Sequence, residues 1–119
     1  MKLGDFFRRD VVDFAIGKDL DSAIAEQLAR IDRDPQEAEP YCALGVFFRM
    51  QGRIEDAIQM HQRALELEPN YALPHRELGQ IHAVRGNYEE AWQHAREAAR
   101  LGDRSLLGLL ERYQPGFPI

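Results

Sequence analysis

The sequence is poor in the residues that favour β-strands. Threonine is absent from the 119 residues, and valine occurs at four positions only. Alanine, leucine, glutamate, glutamine and arginine dominate instead, and these residues favour helices. This composition argues against a β-rich fold, and the 45% share of hydrophobic residues argues against a disordered chain.

Cysteine and long apolar runs are also scarce. Cys42 is the only cysteine, so an internal disulfide is excluded and nothing requires an oxidising compartment. No run approaches the roughly 18 apolar residues that a membrane-spanning helix needs. The first residues also lack the apolar stretch of a signal peptide. We therefore expect a cytoplasmic protein without a membrane partner.

The chain has no excess of positive charge. Its formal charge is −5, whereas nucleic-acid-binding proteins usually present a basic face, so nucleic acid is not an expected partner. Lysine is confined to Lys2 and Lys18, which makes almost every positive charge an arginine. Arginine pairs with carboxylates through two parallel hydrogen bonds. A compositional bias of the genome would produce the same excess, so both explanations stay open.

The residue types that carry chemistry are thinly spread. Ser22 and Ser105 are the only hydroxyls besides the tyrosines, and both fit helix starts, where serine caps the helix. His75 and His82 are seven residues apart on one predicted helix, whereas a metal chelate prefers three or four. Glycines occur singly, which excludes a glycine-rich phosphate loop. We expect no catalytic residue, no cofactor, no metal and no enzyme activity.

A repeat of 34 residues organises the chain, because residues 38–71 align with residues 72–105. Residues 4–37 align more weakly, which indicates a degenerate first unit. The strongest correspondences join small residues and turn residues: Leu44-Gly45 with Leu78-Gly79, Gly52 with Gly86, Ala57 with Ala91, and Ala64 with Ala98. Small residues at these places predict close approach of two helices.

Each unit has the pattern of two helices. Apolar residues recur at helical spacing, and in the second unit Gly52 separates the two helices. Asn87 stands three residues before Glu90, which suggests a capping box. The last predicted helix places Leu106, Leu109, Leu110 and Tyr113 on one face, with Leu107 off it. The predicted helices cover residues 4–17, 20–33, 38–50, 54–67, 72–84, 88–101 and 104–113.

These units resemble tetratricopeptide repeats. Residues 72–103 look like a copy that departs from the pattern at His75, His82 and Asp103. Residues 38–71 carry the family's signature residues at nearly every place: Tyr41, Leu44-Gly45, Phe48, Gly52, Ala57, Ala64 and Pro69. The resemblance implies an all-α fold, a right-handed superhelical stack of antiparallel helix pairs in a single domain over 1–119. Its parts are a degenerate repeat 4–37, repeats 38–71 and 72–105, a capping helix 104–113 and a tail 114–119.

The resemblance also implies that a partner protein or peptide binds the concave face of the stack. Some family members hold a chaperone's terminal carboxylate with lysines and asparagines. The matching places here hold Arg8, Val12, Ala43, Leu73 and Glu77. Only Arg8 is similar to the family's residue, so that function is not expected here.

Helical geometry places apolar residues with interspersed arginines on the concave face. This mixture suits an acidic, amphipathic peptide, and a merely solvated face is the alternative. The predicted groove residues are Arg8, Val12, Ile16, Cys42, Val46, Arg49, Met50, Leu73, Arg76 and Gln80. The expected function is that of a peptide-binding or protein-binding adaptor.

A self-assembly module is the alternative function. Homo-oligomers would form through exposed repeat ends or through the tail, which its prolines keep from being helical. Phe117 and Ile119 in this tail could dock in a groove lined by Val12, Val46 and Met50, on the same molecule or on a neighbour. The other possibility is a frayed terminus.

Overall fold

The computed structural model describes residues 12–113, with side chains from residue 19 onward. Over this range the chain forms helices and no strand. The helices are α1 (Val12–Arg33), α2 (Ala38–Met50), α3 (Ile54–Leu67), α4 (Ala72–Val84), α5 (Tyr88–Arg100) and α6 (Ser105–Tyr113). Helix α2 pairs with α3 and α4 pairs with α5, while α1 packs on α2 and α6 packs on α5. The predicted all-α stack of helix pairs is confirmed.

Glycines in the left-handed conformation end three of the helices. Gly52, Gly86 and Gly102 have φ angles of 79°, 80° and 108°. At the first of these turns, the Gly52 amide donates to the Arg49 carbonyl oxygen at 2.9 Å and the Arg53 amide donates to the Phe48 carbonyl oxygen at 2.8 Å. Bonds of this kind satisfy the last carbonyls of a helix, and only glycine adopts this conformation without strain. The turns at Gly86 and Gly102 repeat the pattern.

Two further glycines let neighbouring helices approach closely, as the repeat predicted. A Cβ atom on Gly45 would lie 2.5 Å from the His61 ring of α3. A Cβ atom on Gly79 would collide with the Leu106 side chain of α6 and would lie 3.3 Å from the Ala91 carbonyl oxygen of α5. Any larger residue at either position would therefore force the neighbouring groups to shift.

Alanines at four repeat positions form the centres of the helix contacts. Ala57, Ala64, Ala91 and Ala98 are all completely buried. Large side chains fill the space around them, and Trp92 is 1% exposed within the cluster that joins α5 to α6. The predicted close-contact positions of Ala57 and Ala91 are confirmed.

The prediction for the first unit was wrong in one respect. Helices were expected over 4–17 and 20–33, but α1 continues without a break from Val12 to Arg33. A break was expected at residues 18 and 19, but the helix continues through them, and a single glycine such as Gly17 costs a helix only about 1 kcal/mol. Ser22 therefore lies inside a helix rather than at its start. Residues 4–11 lie outside the described range, and the repeat assigned to 4–37 stays a prediction.

Helices α2 to α5 begin and end within one residue of their predicted bounds, but one predicted cap is wrong. Asn87 occupies the N-cap position of α5, and its side chain makes no capping hydrogen bond. The Gly86 turn already fixes the direction of the chain at this point. By contrast, the Asp103 carboxylate accepts hydrogen bonds from the Ser105 amide at 3.1 Å and from its hydroxyl at 2.6 Å, which fixes the start of α6.

Candidate functional site

An apolar groove of about 690 Å³ opens at the C-terminal end of the stack. Helices α4 and α6 contribute most of its wall, and α2, α3 and α5 contribute single residues or the adjoining turn. The residues that line it are Arg49, Ile54, Gln80, Ile81, Ala83, Val84, Arg85, Tyr88, Leu106, Leu109, Leu110 and Tyr113. Most of these side chains are aliphatic or aromatic, which is the usual lining of a site for an apolar ligand.

Several of the lining side chains are strongly exposed. Val84 is 89% exposed, Tyr113 69% and Leu109 45%. Single exposed apolar residues are common on protein surfaces, but a contiguous group around a groove marks an interaction site. Covering these side chains would stabilise a complex by removing apolar area from water.

The packing of α6 explains why the groove stays open. Leu106, Leu107 and Leu110 are buried against α5, whereas Leu109 and Tyr113 face outward. The prediction that Leu107 lies off the packing face, and that Leu109 and Tyr113 lie on it, was wrong. With leucines at 106, 107, 109 and 110, apolar residues cover more of the helix than one contact can bury. The surplus forms one wall of the groove.

The charged side chains on the groove wall are both arginines. Arg85 forms an ion pair with Glu55. The Nε–H of Arg49 donates to Oε2 of Glu77 at 2.9 Å. Glu77 lies under the arginine, with a side chain only 5% exposed, whereas the Arg49 side chain is 38% exposed.

The buried Glu77 carboxylate also joins a second arginine to this network. Nη2 of Arg76 lies 3.9 Å from Oε1 of Glu77, and its Nη1 donates to Oδ2 of Asp103 at 3.0 Å. Hydrogen bonds from Ser105, together with Arg76, lower the pKa of Asp103 below its usual range. Two arginines and two carboxylates thus form one network in which the formal charges cancel.

The predicted groove residues do not all come together in the structure. Arg49 and Gln80 line the groove. Met50 is exposed nearby, while Val46, Leu73 and Arg76 are half-buried and lie off its wall. Arg8 lies outside the described residues, as do the side chains of Val12 and Ile16 and the whole of the tail 114–119.

Cys42 was predicted to face the groove as a small surface residue, and this was wrong. Its side chain is 1% exposed and packs with Tyr41, Ala38 and Ala64, beneath half-buried residues of α1 and α4. Both neighbouring helices cover this side of α2, which a single-helix projection does not show. Burial raises the pKa of the Cys42 thiol to about 11, so the thiol is an unreactive core group.

Most of the groove wall was not predicted from the sequence. The groove was expected on the first helix of each unit, and the last helix was expected only as a cap. Ile81, Tyr88 and the residues of α6 were therefore not expected to line it. The sequence offered one sign of this wall: the apolar residues of α6 cover a wider part of the helix surface than packing on one neighbouring helix can bury.

Histidines lie at two helix contacts within the described chain. His61 is completely buried, and neither of its ring nitrogens has a hydrogen-bond partner there. His75, His82 and His94 cluster where α4 packs on α5, with 3.2 Å between the Nδ1 atoms of His75 and His94. The ring of His82 stacks on that of His94, with 5.7 Å between centroids.

Two other kinds of site are absent from the part of the chain that the structure describes. No group of three or more histidine, cysteine, aspartate or glutamate side chains is arranged to hold a metal ion. None of the helices there is both long and apolar enough to cross a bilayer. The groove is therefore the site that the geometry supports best.

Comparison with known proteins agrees with this architecture. The family model of the tetratricopeptide repeat matches residues 38–71. The solved structure of MamA MSR-1 matches with a TM-score of 0.63 and 28% identity, covering 79% of this chain and 54% of that one. MamA AMB-1 matches with a TM-score of 0.62 and 27% identity, covering 83% and 55%.

A third solved structure shows the same fold at lower identity. A double mutant of MamA RS-1 matches with a TM-score of 0.64 and 23% identity, covering 93% of this chain and 57% of that one. The chain thus spans little more than half the length of each of these structures. Among curated proteins, none matches the sequence.

Proposed function

Since this chain is a protein of tetratricopeptide repeats, whose fold serves protein interaction, we propose that it binds a partner protein or peptide in the apolar groove between α4 and α6. The observation that carries the proposal is the group of exposed apolar side chains around the groove, with Val84, Leu109 and Tyr113 at its edge. Such a surface contributes binding energy when a partner covers it, because its apolar area is then removed from water. The role is one of binding rather than catalysis.

The groove suits a short segment of a partner with two or three apolar anchors. A volume of about 690 Å³ accommodates several side chains but not a folded domain. An amphipathic helix laid along the groove would present such anchors at successive turns. The arginines on the wall favour acidic residues at the edge of that helix. This location is narrower than the full concave face that the sequence predicted, and the expected cytoplasmic location stays a prediction.

A self-assembly module is the second candidate. Leu28 on α1 is 51% exposed, at the opposite end of the stack from the groove. A second copy that covered Leu28 and the apolar rim of the groove would join two stacks end to end. Light scattering at increasing protein concentration separates the two candidates: a constant monomer mass supports the adaptor, and a mass that rises with concentration supports assembly.

The binding proposal is tested by placing charge on the groove wall. A displayed library of random peptides, each about 12 residues long, is selected on the wild-type protein, and the most enriched peptide is synthesised. We expect Val84→Asp and Leu109→Asp to weaken binding of this peptide at least tenfold, because each change puts a charge where an apolar anchor is desolvated.

Gln59→Asp provides the matched control, because Gln59 is exposed on α3 and does not line the groove. It adds the same charge elsewhere and should leave the affinity unchanged. Circular dichroism should show the same helix content for all three variants. Equal affinities for the wild type and both groove variants would show that the groove is not the binding surface.

A further inference from the structure

Arg49 differs from the other arginines near the groove in how its guanidinium is used. Glu77 accepts a hydrogen bond from its Nε atom at 2.9 Å, and within residues 12–113 its two Nη atoms have no hydrogen-bond partner. The side chain lines the groove and is 38% exposed. The end of the guanidinium thus keeps donors that a ligand in the groove can use.

The other two arginines are engaged differently. Arg85 also lines the groove, but one of its terminal Nη atoms is paired with Glu55 from the neighbouring unit. Arg76 donates to Asp103 and does not line the groove. Among the described arginines on the groove wall, Arg49 is thus the one with both terminal Nη atoms left for a carboxylate.

We propose that Arg49, positioned by the buried carboxylate of Glu77, binds a carboxylate of the partner beside the apolar groove. The inference rests on the proposed function and adds one chemical requirement to the partner: an acidic group next to its apolar anchors. Glu77 is a positioning residue, because its carboxylate holds Arg49 from below while the Nη atoms remain at the groove wall.

The charges around Arg49 determine what kind of recognition is possible. Arg49, Arg76, Glu77 and Asp103 sum to zero, so this part of the groove exerts little long-range attraction on an acidic partner. Discrimination must come from short, directional hydrogen bonds to the fork of the guanidinium. A lysine at this position keeps the charge but not the fork, and it cannot engage Glu77 and a ligand carboxylate with the same geometry.

A side chain and a chain end both supply a carboxylate, and two library formats distinguish these sources. In one format the random peptide is followed by a carrier protein, so only aspartate and glutamate offer carboxylates. In the other the peptide ends in a free carboxyl group. Enrichment of acidic residues in the first format indicates a side chain, whereas success of the second format alone indicates a chain end.

The probe for affinity measurements is the most enriched peptide, together with a copy in which its carboxylate is replaced by the amide. On the wild type, we expect the acidic peptide to bind about tenfold more tightly than the amide copy, the lower range for a charge-assisted pair that is partly exposed. On Arg49→Lys and Arg49→Gln this ratio should fall to about one, with the affinity of the amide copy unchanged.

Two variants of Glu77 separate positioning from mere stability. Glu77→Gln keeps an oxygen that accepts the Arg49 hydrogen bond, so the ratio between the acidic peptide and its amide copy should persist. Glu77→Ala removes this acceptor, and the ratio should fall towards one. A Glu77 with only a structural role would lower the melting temperature in Glu77→Ala without changing the ratio.

The outcomes distinguish this inference from the proposed function. Selected peptides that lose affinity on Val84→Asp, but carry no carboxylate or ignore Arg49→Lys, would overturn the role of Arg49 and leave the groove as the binding site. Failure to select any peptide sensitive to Val84→Asp would overturn both. An acidic peptide whose preference over its amide copy vanishes on Arg49→Lys and Glu77→Ala supports the inference.

Discussion

At the scale of single residues, His61 makes the fold sensitive to acid. Its ring packs against Gly45 at the contact between α2 and α3, and neither nitrogen finds a hydrogen-bond partner in the described chain. Burial lowers the pKa of His61 to about 4. The unfolded chain has a histidine pKa of about 6.5, so it takes up the proton first as the pH falls. Stability contributed by the neutral ring is complete above about pH 6.5 and is lost progressively down to about pH 4.

We predict that His61→Leu removes much of this acid sensitivity. Between about pH 7.5 and pH 5, the wild type should lose about 2 kcal/mol of unfolding free energy through His61 alone, and the variant should not. Burial, with smaller contributions from His75 and His82, also lowers the pKa of His94 to about 4, so both proteins keep that part of the response. Urea unfolding at the two pH values measures the difference, and equal losses in both proteins would contradict the assignment.

Other residue-scale features show where sequence reasoning reaches its limit. The positions of Gly45 and Ala57 could be predicted, because the repeat itself indicates where only small side chains fit. The burial of Cys42 could not, since it depends on two helices that cover the same side of α2. The engagement of Arg49 by Glu77 also joins residues 28 positions apart, and no local pattern indicates such a pair.

At the scale of secondary-structure elements, the bounds of α2 to α5 could be predicted because their ends are encoded locally. A glycine in the left-handed conformation ends α2, α4 and α5, and its effect does not depend on distant contacts. The unbroken α1 shows the converse. Two helices were expected over 4–17 and 20–33, but the chain continues as one helix through Gly17, because a lone glycine does not end a helix whose other residues favour it.

The contact between α2 and α3 gives the prediction that belongs to this scale. Ala57 is completely buried where the two helices approach each other, so Ala57→Leu should overpack the contact and cost about 1–3 kcal/mol. Gln59→Leu is the matched control, because it adds a leucine to the exposed side of the same helix. Thermal melts of both variants test the repeat register. The register would be wrong if Ala57→Leu had the same melting temperature as the wild type.

At the scale of the whole molecule, α6 covers the C-terminal end of the stack only in part. Helix α6 covers the last helix pair with three buried leucines and directs Leu109 and Tyr113 outward. The groove forms because some apolar side chains of α6 pack on α5 while others on the same helix stay exposed. The fold class could be predicted from the repeat, but the groove could not, because it is formed by an element outside the repeats. The proposed binding surface therefore lies at the end of the stack rather than along its full length.

The most direct test of this account is to locate the bound peptide by nuclear magnetic resonance. Labelled protein is titrated with the peptide selected on the wild type, and the amide shifts are followed for the whole chain. The account predicts that the large shifts map to α4, α6 and the turn around Arg85, with the amides on the exposed side of α3 unchanged. Large shifts confined to α1 or to the exposed sides of α3 and α5, with the groove silent, would contradict it.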